Sequence, residues 1–144
     1  RETLSFISRI GVAEGAKVGV IVEVNCETDF AAKSEDFSEF VKNVAMHIAA
    51  ANPLAIVEED VPADIVERER AIYLEQARES GKPENILEKM VDGKMRKFFE
   101  ESVLMKQAFV KDPDKSIQDY LNELVAKIGE KIMIRRFVRY QLGE

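Results

Sequence analysis

His47 is the only imidazole in the chain and Cys26 the only thiol, so any Ser-His-Asp or Cys-His nucleophilic centre would have to use His47. His47 sits between Met46 and Ile48 in a largely apolar stretch. That setting suits a core or interface histidine better than a general base. Metal ligation would fall to carboxylates, and neither an EF-hand loop nor a paired-histidine zinc spacing occurs. Gly11, Gly15 and Gly19 do not match the phosphate-loop pattern, and they lie between two strand-like runs rather than before a helix. Gly81-Lys82 and Gly93-Lys94 lack the motif as well. Arg135, Arg136 and Arg139 form the one basic cluster. Strict alternation along a strand would put Arg135 and Arg139 on one face and Arg136 on the other, which leaves no continuous stripe for phosphates. These residues point away from covalent catalysis, a cofactor, a metal centre and direct nucleic-acid contact.

One segment remains: Cys26-Glu27-Thr28-Asp29-Phe30-Ala31-Ala32, where a strand-like run gives way to a helix-like one. An Asp-Phe pair at such a tip has two readings. In the first, it is a helix N-cap followed by a core anchor. In the second, the ring projects into a pocket of a partner. The residue types alone leave both open.

The elements that must position this tip follow from periodicity. Residues Thr3 to Asn25 read as a β-hairpin: Leu4, Phe6, Ile7 and Ile10 form a first strand, Gly11 to Lys17 a turn, and Val18, Val20, Val22 and Val24 alternate at period two with Ile21 on the other face. From Ser34 to Ala51 the period becomes helical, with Phe37, Phe40, Val41, Val44, Ile48 and Ala51 on one face and Asn52-Pro53 as the stop. Pro62 opens a charged helix over Ala63 to Ser80, stopped at Gly81. A third helix spans Glu84 to Glu101 with Gly93 inside it. After a linker at Val110 to Lys115, Ser116 caps a fourth, with Gly129 as its C-terminal stop. Ile132 to Leu142 reads as a closing strand. The order ββ, four helices, β predicts an α+β fold: an antiparallel sheet of about three strands covered by about four helices.

The 144 residues suffice for one domain with a real core, expected to span 1–144. A net charge of −6 argues against a general nucleic-acid binder and suits a protein that meets a protein partner. A single cysteine excludes an intrachain disulfide and fits a reducing, cytoplasmic setting. No apolar run approaches the roughly 18–20 residues of a membrane span, and no signal-peptide pattern is visible after Arg1.

The stretch Val20-Ile21-Val22-Glu23-Val24-Asn25-Cys26-Glu27-Thr28-Asp29-Phe30 closely resembles a signature of the translation elongation factor Ts family. Further motifs resemble the family in the same order. They are Ala45 to Ala50, Glu59-Asp60-Val61-Pro62, Ser80-Gly81-Lys82-Pro83, Glu88 to Met95, Gln107 to Val110, and Ile128 through Arg135-Arg136 to Glu144. The resemblance covers the chain from about residue 17 onward. Two positions depart from it: Ala31 stands where Val is common, and Ala108 where Pro is familiar.

The resemblance implies a nucleotide exchange factor without covalent chemistry and without a cofactor. Its partner would be elongation factor Tu, GDP-bound or nucleotide-free. Carried over, Asp29 and Phe30 would be a wedge that disturbs the Mg²⁺ and nucleotide site of Tu, framed by Thr28 and Ala31. Met46 and His47 would meet the third domain of Tu. One tip and one Met-His helix make the chain resemble the short form of the family, which acts as a homodimer. Nothing before Thr3 resembles the small N-terminal helical domain of the family, so this chain is expected to be the core without it. Against this stands a second class, a dimeric adaptor that binds helices through the Ala45 to Ala51 face.

Overall fold

The structure is a computed structural model that describes residues 7–14, by their strand pairing, and residues 17–143. Strand β2 (Val18–Cys26) carries the alternating valines, and they behave as the period demands. Val20, Val22 and Val24 are buried, whereas Ile21 is 47% exposed on the opposite face. β1 (Ile7–Glu14) pairs with it antiparallel, from Ile7 opposite Cys26 to Glu14 opposite Gly19. The first strand therefore runs four residues beyond Ile10, and Gly11 lies within the ladder opposite Val22 instead of opening a turn. A glycine in extended backbone weakens a strand without ending it, which is why composition alone misplaces the boundary. The expected strand residues Leu4 and Phe6 lie outside the described residues.

β5 (Met133–Gln141) pairs antiparallel with the other edge of β2, giving a three-stranded sheet in the order β1-β2-β5. The register shifts between Glu23 and Val24: Glu23 lies opposite Arg136 and Val24 opposite Ile134, so Arg135 is an extra, bulged residue. The bulge corrects the expected division of the arginines. Arg135 and Arg136 both approach Glu23, at 3.6 and 2.8 Å. Arg139 lies on the other face and donates to the carbonyl of Ala49 at 3.3 and 3.1 Å.

Between the strands the four expected helices appear, preceded by a short one. α1 (Asp29–Ala32) is a single turn, followed by α2 (Glu35–Ala51), α3 (Ala63–Arg78), α4 (Glu84–Ser102) and α5 (Ile117–Ile128). Their ends follow the chemistry of the sequence. Ser34 caps α2 by accepting from the Phe37 amide, and Asn52 closes it in the left-handed conformation at φ 46°. Arg139 takes up one of the carbonyls that the last turn of α2 leaves unpaired. Ser116 and Asp119 form a reciprocal capping box on α5, and Gly129 ends it at φ 78°. The stretch expected as a linker instead contains a small hairpin, β3 (Ala108–Phe109) with β4 (Asp112–Ser116).

The main core lies between the valine face of the sheet and the buried stripes of α2 and α5. Phe37, Phe40, Val44, Ile48, Leu104 and Ile117 are among its fully buried side chains. α3 and α4 bury a separate cluster against each other, built on Ala77, Leu87, Val91 and Met95. A third cluster of Ala55, Val61 and Val103, with Ile65, Val66, Phe98 and Phe99 against it, lies where that helix pair begins and ends.

Candidate functional site

The tip grows from the end of β2. Cys26 is buried, and three residues on the chain enters α1. Thr28, not Asp29, is the N-cap: its hydroxyl accepts from the Ala31 amide at 3.2 Å. Asp29 is thus the first residue of the turn and Phe30 the second. This overturns the reading of an Asp N-cap followed by a core anchor. Phe30 is 89% exposed, whereas Ala31 is 1% exposed and Ala32 is also buried. The four tip residues accordingly divide. Thr28, Asp29 and Phe30 are at the surface, and Ala31 anchors the turn from inside. A short side chain at Ala31 suits a position where the turn lies directly on the core.

The tip is held from a distant part of the sequence. Glu130, in the loop between α5 and β5, takes the amides of Glu27 and Thr28 on one carboxylate oxygen at 2.8 and 3.1 Å. The Thr28 hydroxyl donates to the other oxygen at 3.0 Å. Below the tip, burial pushes the Cys26 thiol above its ordinary pKa, with the neighbouring Glu130 carboxylate acting in the same direction. A thiol so held is not a poised nucleophile.

On α2, Met46 and His47 turn opposite ways. Met46 is 42% exposed, in the same outward row as Lys42 and Ala50. His47 is 0% exposed, so the expectation that its ring faces a partner is corrected. Its Nε2 lies 2.9 Å from the Gln107 side-chain oxygen, and its Nδ1 accepts from the Val110 amide at 3.2 Å. That pairing needs the neutral tautomer protonated at Nε2. Burial holds the imidazole below its ordinary pKa, only partly offset by the Gln107 contact. Gln107 in turn donates to the Glu101 carbonyl at 2.8 Å, so one polar chain ties α2, the end of α4 and the β3–β4 hairpin together. Nearby, Asn43 donates to the Tyr120 hydroxyl at 3.0 Å and accepts from Lys111 at 3.0 Å. These partners were missed from sequence, because each lies some 60 or more residues from its mate.

Among the described residues no group of three or more His, Cys, Asp or Glu side chains could hold a metal ion. No helix among them is long and apolar enough to cross a membrane. What the tip and the outer row of α2 offer is contact chemistry: an apolar ring beside a carboxylate on a braced turn, and an exposed thioether on a rigid helix.

The family model described as Elongation factor TS matches residues 12–144. A protein named Elongation factor Ts from Syntrophobacter fumaroxidans is 77% identical over 129 residues, covering 90% of this chain and 64% of that one. One of the same name from Desulfosudis oleivorans is 60% identical over 144 residues, covering 100% and 73%. A third, from Citrifermentans bemidjiense, is 60% identical over 130 residues, covering 90% and 60%. The chain belongs to the elongation factor Ts family, and it spans between 60% and 73% of the length of these three relatives.

Proposed function

We propose that this chain is the working core of a guanine nucleotide exchange factor for elongation factor Tu, acting in the cytoplasm and making or breaking no covalent bond. The observation that carries the reading is Phe30. A phenylalanine left 89% exposed on a turn whose next residue is 1% exposed loses burial that a partner pocket would restore. Membership of the elongation factor Ts family supports elongation factor Tu as that partner.

In this reading Asp29 and Phe30 enter the nucleotide-binding domain of Tu near its Mg²⁺ site, with Thr28 and Ala31 fixing the turn behind them. Met46 meets the third domain, and His47 serves from within by bracing the helix that carries it. The mechanism is differential affinity. A factor that binds the nucleotide-free form of Tu more tightly than the GDP form lowers the affinity for GDP by the same factor. Each tenfold change corresponds to about 1.4 kcal/mol. Displacing Mg²⁺ removes a charge that bridges the phosphates, so the wedge has a direct electrostatic target.

The reading includes a homodimer. Ile21, Val138 and Tyr140 lie exposed on the sheet face opposite the core. A two-fold axis would cover two such faces with one set of residues. Direct nucleic-acid contact is not part of it, since Glu23 engages both Arg135 and Arg136. A labelled-GDP release assay on Tu tests the proposal: the chain should accelerate release, and an adaptor that merely binds would leave the rate unchanged.

A further inference from the structure

We propose that Glu130 is the positioning residue of the tip, and that the presentation of Phe30 depends on its carboxylate. The inference rests on the exchange-factor reading and names the group that makes its wedge effective.

α1 is a single turn of four residues, too short to be stable by its own hydrogen bonds. Its inner side is anchored by Ala31 and Ala32, but the approach to it, Glu27 and Thr28, is exposed. Amides there would otherwise be left to water. Glu130 engages both amides, and its second oxygen engages the hydroxyl that caps the turn. The Thr28 hydroxyl is thereby used twice, donating to Glu130 and accepting from Ala31. Its orientation as a cap is set by the carboxylate.

Glu130 is itself fixed from both sides. Before it, Gly129 stands in the left-handed conformation and donates to the Val125 carbonyl at 2.8 Å. After it, Ile132 is buried in the main core. The carboxylate therefore transmits the position of the α5–β5 loop to the tip, across about a hundred residues of sequence. The consequence is arithmetic. A partner that accepts the ring in one orientation binds with an affinity reduced by the fraction of time the ring holds that orientation. A turn correct one-tenth of the time would weaken engagement about tenfold.

The test is a double-mutant cycle on the full chain, read by labelled-GDP release from Tu below saturation. Glu130→Ala should lower the acceleration about tenfold or more. In a Phe30→Ala background the same change should have almost no effect, because there is no ring left to position. Glu130→Gln keeps an oxygen for the two amides but replaces the oxygen that accepts from the Thr28 hydroxyl with an NH2 donor, so its acceleration should fall between those of Glu130→Ala and the wild type. Glu130→Asp, one methylene short, should behave like Glu130→Ala and covers the case in which the alanine variant folds poorly. Hydrogen exchange at the Glu27 and Thr28 amides gives a readout free of Tu: it should quicken at least tenfold in Glu130→Asp. Wild-type acceleration in Glu130→Ala, an equal fold-loss with and without Phe30, or unchanged amide exchange would overturn the inference. A wild-type chain that fails to accelerate release would overturn the exchange-factor reading instead, and amide exchange would still report on the clamp.

Discussion

Phe30 and Ala31 are adjacent in the chain and opposite in environment: the ring is 89% exposed and the methyl group beside it 1% exposed. The helical turn that starts at Asp29 produces this contrast, because successive residues on a helix point about 100° apart. Exchanging the two roles should therefore fail. Ala31→Phe would force a ring into the packed core and should destabilise the chain by about 1–3 kcal/mol, with a lowered melting temperature. A variant that melted as the wild type does would show that the turn is not seated as described.

His47 makes stability depend on pH in a defined direction. Burial holds its folded pKa below the ordinary value of 6.5, so the unfolded chain binds the proton first as pH falls. The contribution is complete above about pH 6.5 and is lost as pH drops toward the folded pKa. Urea unfolding between pH 5 and 7 should show stability falling with acid, with a slope of at most about 1.4 kcal/mol per pH unit from this group. His47→Ala should remove that component. It should also cost about 1–3 kcal/mol at neutral pH, since the Val110 amide and the Gln107 oxygen lose their partner. Identical pH profiles for both proteins would contradict the assignment.

Ile21 and Val22 separate folding from assembly. Val22 is 0% exposed in the core and Ile21 is 47% exposed on the open face. Val22→Glu should unfold the chain by burying a charge. Ile21→Glu should leave the melting temperature within about one or two degrees and convert the proposed dimer to monomer in light scattering, with a parallel loss of exchange activity. A wild-type chain that is monomeric at micromolar concentration and fully active would defeat the dimer.

Gly129 adopts φ 78°, and a Cβ added there would meet nothing within 4 Å. The cost of Gly129→Ala is therefore conformational, about 1–2 kcal/mol. It should appear as a lower urea midpoint, and an unchanged midpoint would mean that the loop relaxes out of this conformation.

Much of this architecture was legible in the sequence where one signal decided the outcome. Alternating valines named the central strand and its buried face; Ser34, Asn52, Ser116 and Gly129 marked helix ends that the structure keeps. The rest depended on information that a local pattern does not hold. The bulge at Arg135 adds one residue to a strand without changing its composition, yet it sends Arg136 to the same carboxylate as Arg135. Asp112-Pro113-Asp114 reads as a loop, although the segment pairs with Ala108 and Phe109. His47 is fixed by Gln107 and Val110, partners that periodicity cannot supply. For the tip, residue types left both the anchor and the wedge open, and only the fold sends Phe30 outward.

The proposed exchange function requires that Phe30 act on a partner and not on its own fold. The most direct measurement compares Phe30→Ala with the wild type in labelled-GDP release from Tu, alongside thermal melting of each free protein. The exposed ring should cost little in the free chain, so the melting temperature should hold, while the acceleration falls by at least tenfold. A lowered melting temperature with normal exchange per folded molecule would make Phe30 a structural residue and contradict the account.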